Sequence, residues 1–412
     1  MKRLLAIVLC MVMLVGVVSL TACGGNTGSQ SESQNQTTAA AQAEEKKTED
    51  KQEKKEDSGA KTGTLDLGIK PLQPDGKNIL SIEAKGPNGE NVVGVEAVLG
   101  LLSTDDIDKI KKGNFTAAIC MHTVAEDWSQ LQIKGMQSTL EKFGVKVLTV
   151  ADAKRKIEQQ ISDIENAIEL KPNLLFTLPL DKDALQPVLK KAADRGIKIV
   201  FLDSIVSNFA HPKDYAGVVQ ADNYVISKVA CEIIAERIKE EGEVALIHYK
   251  HSLPHTDMRS QAAKDTFAKY PKIKVVAEQG VESTEEAAKV IESLIVAHPN
   301  IKAMWTCWDA LGMAGSAVAK NLGKNVVFAS PDLSRDSAFS IASDGLFIGC
   351  GAQHPFDQGV AEALIGVAAL AGKQTPQYVI VPGEKVTKEN IKSAWDNVFH
   401  EPLAKEIEDA LK

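Results

Sequence analysis

Clustered positive charge is what this chain most conspicuously lacks. Its 47 Lys and Arg are outnumbered by 55 Asp and Glu, for a net charge of −8. No basic run stands clear of neighbouring acids, which argues against a nucleic-acid partner. Cysteine is sparse: six in 412 residues, with no CxxC pair and no histidine at metal-ligand spacing. Cys120, Cys231, Cys307 and Cys350 therefore read as small buried hydrophobes, not as disulfide halves or metal ligands. A P-loop and a nucleophile motif are missing as well, so catalysis has no sequence support and no cofactor is expected. Aromatic residues make up 5 %, with four tryptophans, so a tryptophan beside a polar cluster carries information.

The N-terminus is the most distinctive local feature. Lys2 and Arg3 precede an apolar run from Leu4 to Leu20, and Leu20-Thr21-Ala22-Cys23 follows. A basic start, a short apolar core and small residues before a cut describe a secretory signal, here residues 1–22. The apolar run is short for a membrane span, which needs about 20 apolar residues. A cysteine at the cut resembles a bacterial lipobox, in which Cys23 takes the lipid (palmitate) and anchors the protein to the cell membrane, facing outward. Residues 23–63 are rich in Ser, Gln, Thr, Lys and Glu, and are read as a disordered tether because they bury too little apolar surface to offset ordering entropy. So long a tether suits a Gram-positive wall; in a Gram-negative cell the protein would face the periplasm.

The roughly 350 residues that follow exceed one compact core, so two lobes are expected. From residue 114 apolar strands alternate with amphipathic helices. The strand expected at 115–121 leads to a helix at 127–143, and the helix expected at 153–170 places Ile157, Ile161, Ile164 and Ile168 on one stripe. The alternation continues to a last helix near 388–398. Near-continuous apolar strands imply parallel sheets covered on both faces. The fold class is α/β, with two doubly wound parallel-sheet lobes joined by a hinge. Residues 64–113 fit neither run and form a preface of unknown role, in which Ser103 is a candidate helix cap.

Open parallel sheets bind ligands beyond the carboxyl ends of their strands, so polar residues just after strands are the candidates. These are His122, Glu126 and Trp128 after the first strand, Asp203 after the fourth, His248, Tyr249, His251, Asp257 and Arg259 farther on, then Glu282, Trp308, Asp309, Asp332, Gln353 and His354. Indole faces stack on the C–H side of a sugar ring, while carboxylates, amides and guanidinium groups each engage two adjacent hydroxyls. Trp128 and Trp308 supply the first; Asp203, Asp257, Asp332, Gln353 and Arg259 supply the second.

From Asn114 to about Val386 the chain resembles the type 1 periplasmic binding proteins of the ribose- and galactose-binding kind. AAICMHTVAEDWSQLQIKGMQSTLEKFG is similar to the family's first strand, binding loop and helix, and IKIVFLDS to the strand that delivers its ligand-binding Asp, here Asp203. VVQADNYVISKVACEII resembles the first crossing between lobes, near Asp222. CGAQHPFDQG resembles the second, with Gln353 at the ligand Gln, and a third crossing is expected near Val381. The resemblance implies a first lobe of 114–221 plus 354–383 and a second of 222–353 plus 384–412. It implies ligand contacts at His122, Glu126, Trp128, Asp203, Asp257, Arg259, Trp308, Asp332 and Gln353. It also implies capture of a sugar or polyol by a monomer and delivery to an ABC permease.

Glu126, Asp257, Glu282 and Trp308 depart from the residues usual in ribose binders, and they make the expected site rich in carboxylates. An amino sugar or aminated polyol would balance them; alternatively Glu126 and Glu282 face solvent. Three rival readings stand beside this one. The same fold could bind a nucleoside or a signalling furanone. A sensory lipoprotein could present its ligand to a membrane receptor. An enzyme could use His122, His248 and His251 as an acid–base set.

Overall fold

The computed structural model describes residues 71–86 and 89–412. The expected signal segment, the tether and Cys23 lie outside these residues, as does the start of the preface.

The preface ends in two short helices, α1 (Val95–Leu99) and α2 (Thr104–Lys112). Ser103 caps α2 in a reciprocal box: its Oγ accepts from the Asp106 amide at 3.2 Å, and Asp106 Oδ2 accepts from the Ser103 amide at 2.9 Å. Lys373 pairs with Asp106 at 2.7 Å, and this contact holds the carboxyl at about 2. Val95, Val98, Ile107 and Ile110 are buried in the core of the first lobe.

The first lobe then runs β1 (Thr116–Met121), α3 (Asp127–Lys142), β2 (Lys146–Asp152), α4 (Ile157–Glu169), β3 (Leu174–Thr177), α5 (Gln186–Asp194), β4 (Lys198–Leu202) and β5 (Gly217–Ala221). The second lobe follows with α6 (Asn223–Arg237), β6 (Glu241–Tyr249), α7 (Pro254–Phe267), β7 (Lys272–Val281), α8 (Thr284–Ala297), β8 (Ile301–Thr306), α9 (Asp309–Asn321), β9 (Val327–Pro331), α10 (Arg335–Ala342) and β10 (Phe347–Ala352). The chain returns to the first lobe with α11 (Pro355–Leu370) and β11 (Tyr378–Val381), then ends in the second with β12 (Glu384–Val386), α12 (Ile391–Phe399) and α13 (Lys405–Ala410).

Two six-stranded sheets result, ordered β11-β5-β4-β3-β1-β2 and β12-β10-β9-β8-β6-β7. Every pairing is parallel except β10 with β12, an antiparallel edge that the apolar pattern did not announce. In the first sheet Ala117, Ile119 and Met121 face one core while Ala118 and Cys120 face another, as the period of two demands for a strand covered on both sides. The helix α11 lies close against α3: a Cβ on Gly135 would sit 2.1 Å from the Phe356 carbonyl oxygen, and one on Gly359 would sit 2.2 Å from that of Gln132. The helix expected from residue 153 begins instead at Ile157, because Lys154 and Arg155 take left-handed φ values of 51° and 57°.

The chain passes between the sheets at Asp222, at Gln353–His354 and at Pro382–Gly383. The preface runs along these crossings. The Leu80 amide donates to the Gly383 carbonyl and the Lys385 amide to that of Asn78, both at 2.8 Å. Farther on, the Val93 amide donates to Tyr378 O at 3.1 Å and the Ile380 amide to Val93 O at 2.9 Å. One short segment thus covers the edges of both sheets, where unpaired strand groups would otherwise face water. Asp222 Oδ2 fastens its middle by accepting from the Glu83 and Ala84 amides at 2.6 and 2.8 Å.

Candidate functional site

The order 2-1-3-4-5 in each lobe places a switch point beside β1 and another beside β6, and such points open a crevice at the carboxyl ends of the strands. The two crevices face each other across a cavity of about 530 Å³, lined by residues of both lobes.

Asp203, at the end of β4, holds a left-handed φ of 51° and is 2 % exposed. Its counterpart at the end of β9, Asp332, has φ 76°. Two carboxylates thus sit in backbone conformations uncommon for their residue type, one in each lobe, as functional positions often do. Arg259 of α7 orders the second lobe's side. Its Nε donates to Asn223 Oδ1 at 2.8 Å, and one terminal nitrogen donates to the Cys307 carbonyl and to Asp332 Oδ2, both at 3.1 Å. Gln353 Nε2 donates to the other Asp332 oxygen at 2.6 Å. Burial pushes the Asp203 carboxyl up to about 7; Arg259 opposes the rise and Asp332 adds to it. Burial likewise raises Asp309, the first residue of α9, to about 7, with Asp332 adding to the effect and the Ser334 side chain opposing it. Burial lowers His255 to about 3, helped by Arg259, and it is also the main cause that keeps His122 well below its ordinary range.

Among the described residues, several buried polar atoms here have no hydrogen-bond partner: Asp203 Oδ1, Gln353 Oε1, His122 Nδ1, and the indole nitrogens of Trp128 and Trp308. Buried polar groups are ordinarily paired, and all five of these belong to residues that line the one cavity, which marks them as positions for a guest to complete. Trp128 meets His122 edge-on, Tyr249 meets Trp308 edge-on, and the Arg155 guanidinium lies 5.4 Å from the Trp308 ring centre. Contacts that span the lobes include that one, Ser204 Oγ to His255 Nδ1 at 2.7 Å, His400 with Asp357 at 3.3 Å, and Asp127 with Arg335. In the last, Asp127 accepts from the Arg335 backbone amide at 2.9 Å and from its guanidinium at 2.5 Å.

The model of the periplasmic binding protein domain matches residues 117–374. The chain belongs to this family. The ribose import binding protein of Bacillus subtilis is 24 % identical over 231 residues, 56 % of this chain and 73 % of that one. The D-allose-binding periplasmic protein of Escherichia coli is 24 % identical over 286 residues, 66 % of this chain and 91 % of that one. An Agrobacterium vitis solute-binding protein, solved with α-D-tagatopyranose, overlays with a TM-score of 0.64 at 20 % identity, covering 71 % of this chain and all of that one.

Within the family's fold, eight of the nine ligand positions expected from sequence line the cavity: His122, Glu126, Trp128, Asp203, Arg259, Trp308, Asp332 and Gln353. Asp257 is the correction. It is exposed and accepts from Ser252 Oγ at 2.6 Å outside the cavity. The helical period explains this: His255 and Arg259 share the inner face of α7 and Asp257 lies opposite. His251 and Glu282 are exposed and pair at 3.3 Å, and Glu282 also pairs with Lys250 at 2.8 Å. Glu126 is held by Arg155 at the cavity wall. Sequence reasoning missed Arg155, His255 and Arg335. Only His255 left a signal, through its spacing of four from Arg259. The four cysteines are free and buried, and burial pushes the Cys120 and Cys307 thiols to about 12, where they are inert. Among the described residues, no group of three or more His, Cys, Asp or Glu could hold a metal ion, and no helix is long and apolar enough to cross a membrane.

Proposed function

We propose that this chain is an extracytoplasmic solute-binding protein. It captures a sugar or sugar-like polyol between its lobes and hands it to an ABC permease. The observation that carries this reading is the set of partnerless buried polar atoms, acceptors and donors together, beside two indoles in a cavity that both lobes must close to form. A hydroxyl both donates and accepts, so a polyol can meet such a mixed set, while its C–H face packs on an indole. The relatives support the same class: they are named for ribose and D-allose, and another curated relative, from Mycolicibacterium smegmatis, for xylitol. Binding residues drawn from both lobes give the ligand a higher affinity for the closed arrangement, which is what drives closure. Lipid on Cys23 would hold the protein at the outer membrane face as a monomer, within reach of its permease. The family is one of binding proteins, and the chain is read as a binder rather than an enzyme.

The test is a thermal-shift screen of pentoses, hexoses, polyols and nucleosides, followed by X-ray scattering with the best hit. The expected result is a raised melting temperature for a member of the first three classes and a smaller radius of gyration with ligand. A hit confined to nucleosides, or no response from any class, would overturn the reading. Metabolic labelling with palmitate, compared between the full chain and Cys23→Ser, tests the anchor; equal labelling removes it.

A further inference from the structure

Three arginines line the cavity, and each is already answered by a carboxylate. Glu126 holds Arg155, Asp332 holds Arg259 at 3.1 Å, and Asp127 holds Arg335, which Glu401 also binds at 2.6 Å. Among the described lining residues there is no lysine, and the two buried histidines are neutral. Three other carboxylates line the cavity. Asp336 is exposed and water can solvate it. Asp203 and Asp309 are 2 % and 8 % exposed. A buried carboxylate without a countercharge must find one or hold a proton.

The two do not stand alike. Arg259 acts on Asp203 and tempers it. Asp309 accepts from the Ser334 amide at 3.1 Å, but the charged side chains that act on it are Asp332 and Glu126, both acids. The orphaned side-chain oxygen of Gln353, whose amide nitrogen donates to Asp332, is also an acceptor on a residue 2 % exposed. That corner of the cavity therefore leaves Asp309 without an opposite charge of its own. An ammonium group supplies three donors and one charge, whereas a hydroxyl supplies one donor and no charge.

We infer that the natural guest bears a protonated amine on a hydroxylated body, with the amine seated at Asp309 and hydroxyls at Asp203. This rests on reading the cleft as a polyol site.

Calorimetry at pH 7 tests it with matched probes: D-glucosamine, D-galactosamine and 1-amino-1-deoxy-D-sorbitol against D-glucose, D-galactose, D-sorbitol and the N-acetylated hexosamines. At least one amine is expected to bind about ten- to a hundredfold tighter than both its neutral and its acetylated counterpart, as a charge-assisted contact implies. Asp309→Asn keeps the acceptor for the Ser334 amide and should bring that ratio towards one. In the wild type, repeating the titration in buffers of different ionisation enthalpy should show proton release on binding the amine but not the neutral sugar. The groups facing Asp309 in that experiment are Asp332 at the end of β9, Glu126 in the loop before α3 and the first turn of α10. Neutral or acetylated sugars binding as tightly as the amines would overturn the inference and leave the polyol reading standing, as would a ratio that survives Asp309→Asn. Failure of every probe would remove both.

Discussion

The cleft and the hinge are built from the same strands, at opposite conditions of polar satisfaction. At the hinge, Asp222 accepts from three amides, those of Glu83, Ala84 and Val225. His354 bonds Pro382 O at 2.7 Å and Glu384 at 3.2 Å, while Asn390 and Asn397 donate to the same carboxylate at 3.4 and 3.1 Å. In the cleft, Asp203, Gln353 and His122 each leave a buried atom unmet. A satisfied buried network rigidifies and specifies one arrangement, and an unsatisfied one raises the free energy until a partner arrives. The contrast assigns stability to the hinge and affinity to the cleft, and substitutions should separate the two.

The largest effect is expected at the hinge. Glu384→Ala removes a buried carboxylate shared by the buried His354 and the half-buried Asn390 and Asn397 and should cost about 3 kcal/mol of folding stability, read as a lower denaturant midpoint with an unchanged slope. Asp203→Ala should do the opposite. It should weaken ligand binding by about 1.5–3 kcal/mol while the ligand-free melting temperature holds or rises, because a buried carboxylate with one unmet oxygen has gone. Calorimetry and melting curves on both variants decide the matter. An Asp203→Ala protein with full affinity, or a Glu384→Ala protein of native stability, breaks the contrast.

The pH response sharpens it. Unfolded carboxyls release their protons near 3.8, but native Asp203 and Asp309 hold theirs to about 7. Between those values the native state carries more protons, so stability falls as pH rises from about 4 to about 7 and is flat beyond. Asp106, lowered to about 2 beside Lys373, has the reverse sign. Its contribution is present above about 4 and is lost as pH falls through about 2. Asp203→Asn should therefore flatten the decline between pH 4.5 and 7.5, and Asp106→Asn should leave that decline in place. Parallel curves for wild type and Asp203→Asn would remove the proton-holding role of the cleft.

Much of this was legible before the structure, and for identifiable reasons. Apolar runs such as Ile197 to Leu202 leave few alternatives to a buried strand, and a polar residue that breaks such a run, as Asp203 does, lands at the mouth of a parallel sheet. Asp257 misled because two residues along a helix is half a turn, and nothing in the sequence says which side faces in. Arg155 was hidden by two consecutive left-handed residues, neither of them glycine, that end a turn where a helix was expected. Arg335 reaches Asp127 only because the lobes approach, and they lie 208 positions apart. The preface was the least legible part. Its contacts with the sheets are single bridges, Ile79 to Glu384 and Val93 to Val379, too short to leave a period of two.

That same segment offers the smallest effect and the finest test. Residues 78–93 pair with β12 of one lobe and β11 of the other, so they fasten the hinge from outside without touching the cavity. Deleting residues up to 93 would leave the Asp222 carboxylate with only the Val225 amide and would uncover both sheet edges. Each lost backbone bond at a partly exposed edge contributes about 0.5 kcal/mol net of the water that replaces it. The expected result is a melting temperature lower by a few degrees, faster amide exchange at Ile380 and Lys385, and an affinity within about threefold of the full chain. A strap that set the closing equilibrium would act differently. It would shift affinity by more than stability, since ligand reads the population of the closed form directly. Loss of binding in a shortened chain that still melts like the parent would therefore move residues 78–93 from the scaffold to the mechanism of capture.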